Sequence, residues 1–224
     1  MIFEIDNIEL YFKNKRILNG IYLKAETGKV TSLLGSNGSG KSCLLNIAFG
    51  TLNAKYSHTR IDHKPLLRPL YATQLAAFLP QYNFTPNHAK VKSLFKLFNI
   101  KWIDFTTEFT EFKIYKNKSI NTLSGGERRI IEIYLILKKD AKIILLDEPF
   151  NGVAPLYIKK LQTLITEEKQ YKAIVLTDHR YAEVIAVSDT IYLIKNGCSK
   201  LIENLSELED YNYLSNKQLQ HDLN

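Results

Sequence analysis

Cysteine is scarce: Cys43 and Cys198 are the only two in 224 residues. Two thiols make no disulfide framework, and a reducing, cytoplasmic setting is the expectation. Long apolar runs are missing as well. None approaches the roughly 18–20 residues that a membrane span requires. The start, Met1-Ile2-Phe3-Glu4-Ile5-Asp6, has neither the basic lead nor the apolar core of a signal peptide. At 224 residues the length allows one large domain or two small ones, and the chain shows no linker, low-complexity tract or internal repeat. With 45% hydrophobic and 24% charged residues, its composition is that of an ordinary globular protein with a sizeable core. The net charge of +7 raises the question of a nucleic-acid or anionic-membrane partner. However, the basic residues are scattered, and clusters such as Lys13, Lys15 and Arg16 are short. They read as a solvated surface.

What is present is Gly35-Ser36-Asn37-Gly38-Ser39-Gly40-Lys41-Ser42, which fits the G-x-x-x-x-G-K-[ST] phosphate-loop pattern. Val30-Thr31-Ser32-Leu33-Leu34 before it reads as a buried strand. Cys43-Leu44-Leu45-Asn46-Ile47-Ala48-Phe49 after it reads as a buried helix stopped by Gly50. Strand, glycine loop and helix are the context that gives the pattern meaning. The glycines let backbone N–H groups approach phosphate oxygens, and the helix N-terminus adds its positive dipole end. Lys41 is placed to reach the β- and γ-phosphates, and Ser42 to set its hydroxyl on Mg²⁺.

Residues 2–12 read as a strand interrupted at Asp6-Asn7. Residues 17–23 suggest a second strand, and Thr27-Gly28-Lys29 the turn into the third. Residues 51–75 are polar and irregular, with no assignment. Ala76-Ala77-Phe78-Leu79-Pro80-Gln81 reads as a short buried strand ending at Gln81. Phe95, Phe98, Trp102, Phe105, Phe109 and Phe112 recur at helical spacing. They are expected to form the core of a small helical region, a partner-docking face being the alternative. Thr106-Thr107 favours two short helices over one.

Leu123-Ser124-Gly125-Gly126-Glu127 opens an apolar helix, with Ser124 and Glu127 spaced as a capping box. Two glycines in a first turn cost about 1 kcal/mol each against Ala. They make sense if the backbone lies against something, such as a phosphate. Ile143-Ile144-Leu145-Leu146 reads as a buried parallel strand ending in Asp147-Glu148, and ligands gather at the carboxyl ends of such strands. Because side chains alternate, one carboxylate can hold Mg²⁺ while the other faces an attacking water. A helix over 155–168, a strand over 173–176 ending at Thr177-Asp178-His179, a helix near Tyr181, two strands over about 190–202 and a polar C-terminal helical segment complete the chain.

The phosphate loop, Gln81, Leu123–Glu127, Asp147-Glu148 and His179 stand in an order and spacing that resembles the nucleotide-binding subunit of an ATP-binding cassette (ABC) transporter, over essentially the whole chain. Locally, the runs at 123–129, 145–150 and 177–179 look like the ATPases of lipopolysaccharide export and of branched-chain amino-acid import. The resemblance implies an α/β fold. A P-loop NTPase core of RecA-like type would carry an antiparallel β subdomain and a small α-helical subdomain at about 83–138. All of this would form a single ABC ATPase domain spanning 1–224.

The resemblance also implies roles. Phe12 would stack on adenine, with Tyr11 as the neighbouring candidate; either could be a plain strand aromatic. Gly35, Ser36, Asn37, Gly38, Ser39, Gly40, Lys41, Ser42 and Cys43 would surround the phosphates. Ser42, Gln81 and Asp147 would hold Mg²⁺. Glu148 would be the general base, His179 would bond the γ-phosphate, and Gln81 and Lys41 would complete the catalytic set. Ser124, Gly125 and Gly126 would contact ATP held by the other subunit of a head-to-tail dimer, a homodimer or a pairing with a second cassette. A separate transmembrane subunit would be the driven partner, without direct nucleic-acid contact, at the cytoplasmic face of the inner membrane. The alternative is a soluble ABC-type ATPase acting on nucleic acid, ribosomes or another cytoplasmic partner. His58, His63, His88 and His221 receive no role. Two departures stand out. Ala154 occupies the place of the aspartate the resemblance expects, and the stretch from Gln81 to Leu123 is short.

Overall fold

Two strands that are buried along their whole length set the layers. In β7 (Ile143–Asp147) and β8 (Ala173–Thr177) every residue is buried, as their continuous apolar runs require. Successive side chains enter opposite cores. Ile143, Leu145, Ala173 and Val175 join one core, and Ile144, Leu146, Ile174 and Leu176 join the other.

The computed structural model describes residues 1–211 and 213. Alongside β7 and β8 run β3 (Val30–Leu34), β6 (Ala76–Leu79), β9 (Thr190–Lys195) and β10 (Cys198–Ile202). Their order is β10-β9-β3-β8-β7-β6. The pairings are parallel except at the edge, where β10 runs antiparallel to β9. A second, antiparallel sheet holds β1 (Ile2–Phe12), β2 (Lys15–Glu26), β4 (Tyr56–Ile61) and β5 (Lys64–Pro65), in the order β2-β1-β4-β5. Helix α1 (Lys41–Phe49) contributes Leu44, Leu45, Ile47 and Ala48 to the core shared by the two sheets. Gly40 and Gly50 bound it in left-handed conformations that a residue with a Cβ rarely adopts.

The other core is helical. Helices α2 (Val91–Leu97), α3 (Trp102–Glu108), α4 (Gly125–Lys138) and α5 (Pro155–Glu168) pack there against the parallel sheet. The aromatic stripe folds as two short helices and a 3-10 turn at Thr110–Tyr115, and not as one straight face. Phe95, Phe105, Phe109 and Phe112 are buried, while Phe98 and Trp102 are partly so. Phe105 is the hub, with ring centroids 4.9 Å from Tyr134, 5.0 Å from Phe109 and 5.1 Å from Phe95. The stripe is core, so it cannot itself be the docking face. Exposure falls on Leu97, Ile103 and Ile114 instead.

Some sequence expectations shift. The unassigned stretch contains β4, which pairs antiparallel with β1 from Phe3↔Ile61 to Glu9↔Tyr56. Strand β6 stops at Leu79, two residues short of Gln81, because Pro80 has no N–H to extend the ladder. Helix α6 (Tyr181–Ile185) is a single turn and a half, and α7 (Glu207–Asp210) is shorter. The remainder of the expected C-terminal helical segment, with His221, lies outside the described residues. Among the described residues, no helix is long and apolar enough to cross a membrane.

Ala154 is the N-cap of α5, followed by Pro155 at the first helical position, and offers no side-chain cap. Ala154→Asp should therefore stabilise the protein by about 1 kcal/mol, read as a rise in denaturation midpoint. Phe105→Ala should cost roughly 3–5 kcal/mol. Leu97→Ala, at a site 76% exposed, should change stability by no more than about 0.5 kcal/mol. A comparable loss at Leu97 would contradict this description of the helical core.

Candidate functional site

The turn from β3 into α1 leaves no room for side chains at two points. At Gly35 a Cβ would stand 2.7 Å from the Ile194 carbonyl oxygen, and at Gly40 2.6 Å from Leu18 Cδ2. Both glycines have positive φ, +155° and +101°. Glycine is thus required by packing and by backbone conformation together. The loop is closed over Lys41, which is buried and donates from Nζ to the carbonyls of Gly35 (2.7 Å) and Ser36 (3.1 Å). Burial pushes the Lys41 ammonium below its ordinary pKa, against the pull of Glu148, Asp147 and Asp178. Ser39 Oγ is buried with no partner.

A cavity of about 540 Å³ opens at this loop. Of the residues singled out in the sequence, Phe12, Asn37, Gly38, Ser39, Gly40, Lys41, Ser42, Cys43, Gln81, Glu148 and His179 line it, joined by Ile17. Gly35, Ser36, Asp147, Ser124, Gly125 and Gly126 are not among the lining residues. Gly35 lies buried beneath the loop and Asp147 behind Ser42. Phe12, 49% exposed, stands at the mouth. Tyr11 does not reach the cavity: its hydroxyl donates to Glu9, and its ring stacks under Arg16 and Lys55.

The two carboxylates diverge, as expected, though not by simple strand alternation. Strand β7 ends at Asp147, and Glu148 takes φ +49°. Asp147 is buried and accepts a hydrogen bond from Ser42 Oγ at 3.0 Å. Burial raises its carboxyl pKa to about 6; the Ser42 bond opposes the rise and Glu148 adds to it. A buried carboxylate whose hydrogen bond among the described residues comes from a hydroxyl, facing a phosphate loop, suits a divalent cation. Glu148 turns into the cavity, where Oε2 accepts from Asn151 Nδ2 at 3.2 Å and lies 3.7 Å from His179 Nδ1.

Helix α4 bears Ser124 and Gly125, both exposed, at its start, clear of the cavity. The capping box is formed: Ser124 N–H donates to Glu127 Oε2 and Glu127 N–H to Ser124 Oγ. Gly126 has a reason that the sequence did not reveal. A Cβ there would stand 2.4 Å from the Gly152 carbonyl oxygen, so α4 packs backbone to backbone on the loop after Glu148.

Three residues near the site escape a motif search. Arg129, buried, donates from Nη1 to Pro80 O (2.7 Å) and from Nη2 to Asp147 O (2.6 Å) and Glu148 O (3.1 Å). Asp178, fully buried, accepts from Phe150 N–H (2.8 Å) and Arg180 N–H (3.0 Å). Asn151 holds Glu148, as above. The signal for Arg129 was available: an arginine among buried positions of an apolar helix requires buried partners.

The Asp147 shift yields a pH test on cation-free protein. The folded state holds this proton more tightly than the unfolded chain. The group's contribution to stability is therefore intact below about pH 4 and is lost as pH rises through about 6. Asp147→Asn, which keeps an acceptor for Ser42, should stabilise the protein by roughly 2 kcal/mol at pH 8 and by nothing near pH 4. Melting curves in EDTA check this; equal melting temperatures at pH 8 would refute it.

Comparison with known proteins fits this arrangement. The sequence profile described as "ABC transporter" matches residues 18–151. A Methanocaldococcus jannaschii protein named "Probable branched-chain amino acid transport ATP-binding protein LivG" is 28% identical over 97% of this chain and 95% of its own length. The ribose import ATP-binding protein RbsA of Oceanobacillus iheyensis is 30% identical over 93% of this chain, which spans 45% of that protein. A solved structure described as the ATP binding subunit of an ABC transporter superposes with a TM-score of 0.81 at 18% identity, covering 100% of this chain and 99% of that one. With its phosphate loop, paired carboxylates and glycine-bearing helix start in these positions, the chain belongs to the ABC transporter family and carries its ATP-binding, ATP-hydrolysing unit.

Proposed function

We propose that this chain is a single cassette domain spanning residues 1–224, with residues 83–138 as its helical subdomain. It would work as a head-to-tail dimer, with itself or a second cassette, and drive a separate transmembrane subunit at the cytoplasmic face of the inner membrane. The observation that carries this reading is the division of the site. The phosphate loop, Gln81, Glu148 and His179 share one cavity, while Ser124 and Gly125 are exposed elsewhere on the same chain. A site so divided is completed by a second chain.

In this reading Phe12 and Ile17 receive the adenine, and the loop amides of residues 37–42 with Lys41 receive the phosphates. Phosphate oxygens would draw the Lys41 ammonium away from the Gly35 and Ser36 carbonyls it now bonds. Mg²⁺ would be held by Ser42 and Asp147, with Gln81 at the rim, and would neutralise charge on the phosphate oxygens. Glu148 accepts the proton of a water as the water attacks the γ-phosphorus. The bond to the bridging oxygen breaks, and ADP leaves with phosphate. His179, beside Glu148, donates toward the γ-phosphate oxygens and helps hold the water. Catalysis here is positioning and electrostatics. The transmembrane subunit would meet the exposed residues next to Gln81, Tyr82 first among them at 74% exposure. The name of LivG, a transport ATP-binding protein, supports a transport role.

Two substitutions test the reading. Lys41→Ala should weaken ATP binding on the order of 100-fold or more, because it removes the buried cation of the phosphate loop. Equal affinity in the two proteins would end the proposal. Glu148→Gln should bind ATP, lose hydrolysis and run as a dimer in size-exclusion chromatography with ATP, where the wild type does not persist. A variant that stays monomeric, or hydrolyses at the wild-type rate, removes Glu148 from its role.

A further inference from the structure

Glu148 needs holding. Its φ of +49° is in the left-handed region that side chains with a Cβ disfavour, and such conformations persist only where the surroundings impose them. Three groups do so here. The Glu148 N–H donates to Thr177 O at 2.7 Å. Its carbonyl accepts from Arg129 Nη2 at 3.1 Å and from the Asn151 backbone N–H at 3.3 Å. Its carboxylate accepts from Asn151 Nδ2 at 3.2 Å, with His179 Nδ1 at 3.7 Å on the same oxygen.

The Arg129 guanidinium forms a long ion pair with the buried Glu132, Nη1 to Oε2 at 3.9 Å, but its hydrogen bonds go to the carbonyls of Pro80, Asp147 and Glu148. Those carbonyls belong to the residue before Gln81 and to the two carboxylate residues. One planar, five-donor cation therefore ties the Gln81 segment to the end of β7, a task that needs several donors in fixed directions. Asn151 works from the open side. It is exposed and, among the described residues, its side-chain amide reaches only the Glu148 carboxylate, so that side chain has little to do with stability. Neither residue lines the cavity.

We propose that Arg129 and Asn151 are positioning residues for hydrolysis. Arg129 fixes the main chain of Glu148 relative to Gln81 from the buried side, and Asn151 steers the Glu148 carboxylate toward the cavity beside His179. The inference rests on the ATPase reading above and concerns how the general base is held, not whether ATP binds.

The test uses the full chain, with steady-state ATP hydrolysis at saturating Mg²⁺, equilibrium binding of a fluorescent ATP analogue, and melting temperature. Asn151→Ala should lower kcat on the order of tenfold while analogue Kd stays within about twofold, because only the placement of the base changes. Its melting temperature should match the wild type. Asn151→Asp, which sets a second carboxylate against Glu148, should lower kcat at least as far, and Asn151→Ser, which keeps a short donor, should recover part of the loss. Arg129→Lys has one ammonium for three carbonyls and should show the same split, a large loss in kcat with Kd unchanged.

If Arg129→Lys fails to fold, the Asn151 series decides alone. A kcat within about twofold of wild type for both Asn151→Ala and Asn151→Asp overturns the inference. So does a fall in kcat matched by a weaker Kd or a lower melting temperature. Lys41→Ala separates the two levels. If it binds the analogue as wild type does, the ATPase reading fails and this inference falls with it. If it does not bind while the Asn151 variants are unchanged, only the inference falls.

Discussion

Charge removed from water at the carboxyl ends of β3, β7 and β8 is the constraint on which the rest of this structure depends. Lys41, Arg129, Asp147 and Asp178 are each buried there. An isolated buried charge costs several kcal/mol, so each must find hydrogen bonds or a counter-charge. The chain meets this with its own backbone and hydroxyls. Lys41 closes on two loop carbonyls, Arg129 on three, Asp178 on two N–H groups and Asp147 on one hydroxyl. Burial pushes the pKa of both cations down and of both carboxyls up, and Lys41 and Asp147 are the pair at the phosphate loop. In the proposed reading both would be relieved by a ligand that brings anionic oxygens and a divalent cation. The electrostatics of the loop and the chemistry of the nucleotide proposed for it are thus one feature.

How much of this could be read from sequence follows from how local each feature is. The phosphate loop, the capping box of α4 and the apolar run of β7 are written in contiguous residues, because backbone turn, cap and burial are decided within a few positions. Strand β4 was not legible. It is an exposed strand whose place is set by pairing with β1, about fifty residues earlier, and nothing in Tyr56–Ile61 alternates strongly enough to announce it. The aromatic stripe was legible as helical and apolar. Whether it faced inward was decided by Tyr134 on α4, a partner visible only in three dimensions. Gly126 illustrates the limit. Its sequence reading pointed to a phosphate, yet its nearest constraint is the Gly152 carbonyl of its own chain.

The loop from Glu148 to Pro155 gathers these threads. It lacks the aspartate that the resemblance led one to expect at 154, but it is not loosely held. Phe150 N–H is bonded by Asp178, Phe150 and Val153 are buried, and Gly152 lies against Gly126. Every one of those anchors comes from the same chain, so the loop keeps its shape whatever stands at 154. The missing carboxylate leaves α5 without a side-chain cap, not the loop without anchors.

Helix α4 then acquires a mechanical meaning. Its first turn exposes Ser124 and Gly125, and at the rise of an α-helix Arg129 lies only about 7.5 Å further along the axis. Between the two, Gly126 touches the Gly152 backbone with no space for even a methyl group. A helix is stiff over that distance, and an interior without voids transmits displacement instead of absorbing it. The exposed first turn is thus joined by one stiff helix to the Gly152 carbonyl and, through the Arg129 guanidinium, to the carbonyls of Glu148 and of the residue before Gln81. In the proposed dimer, the turn that would face another subunit's phosphate and the carboxylate that would act on this chain's own phosphate lie close along the same helix. One rigid turn and a half of helix connects them.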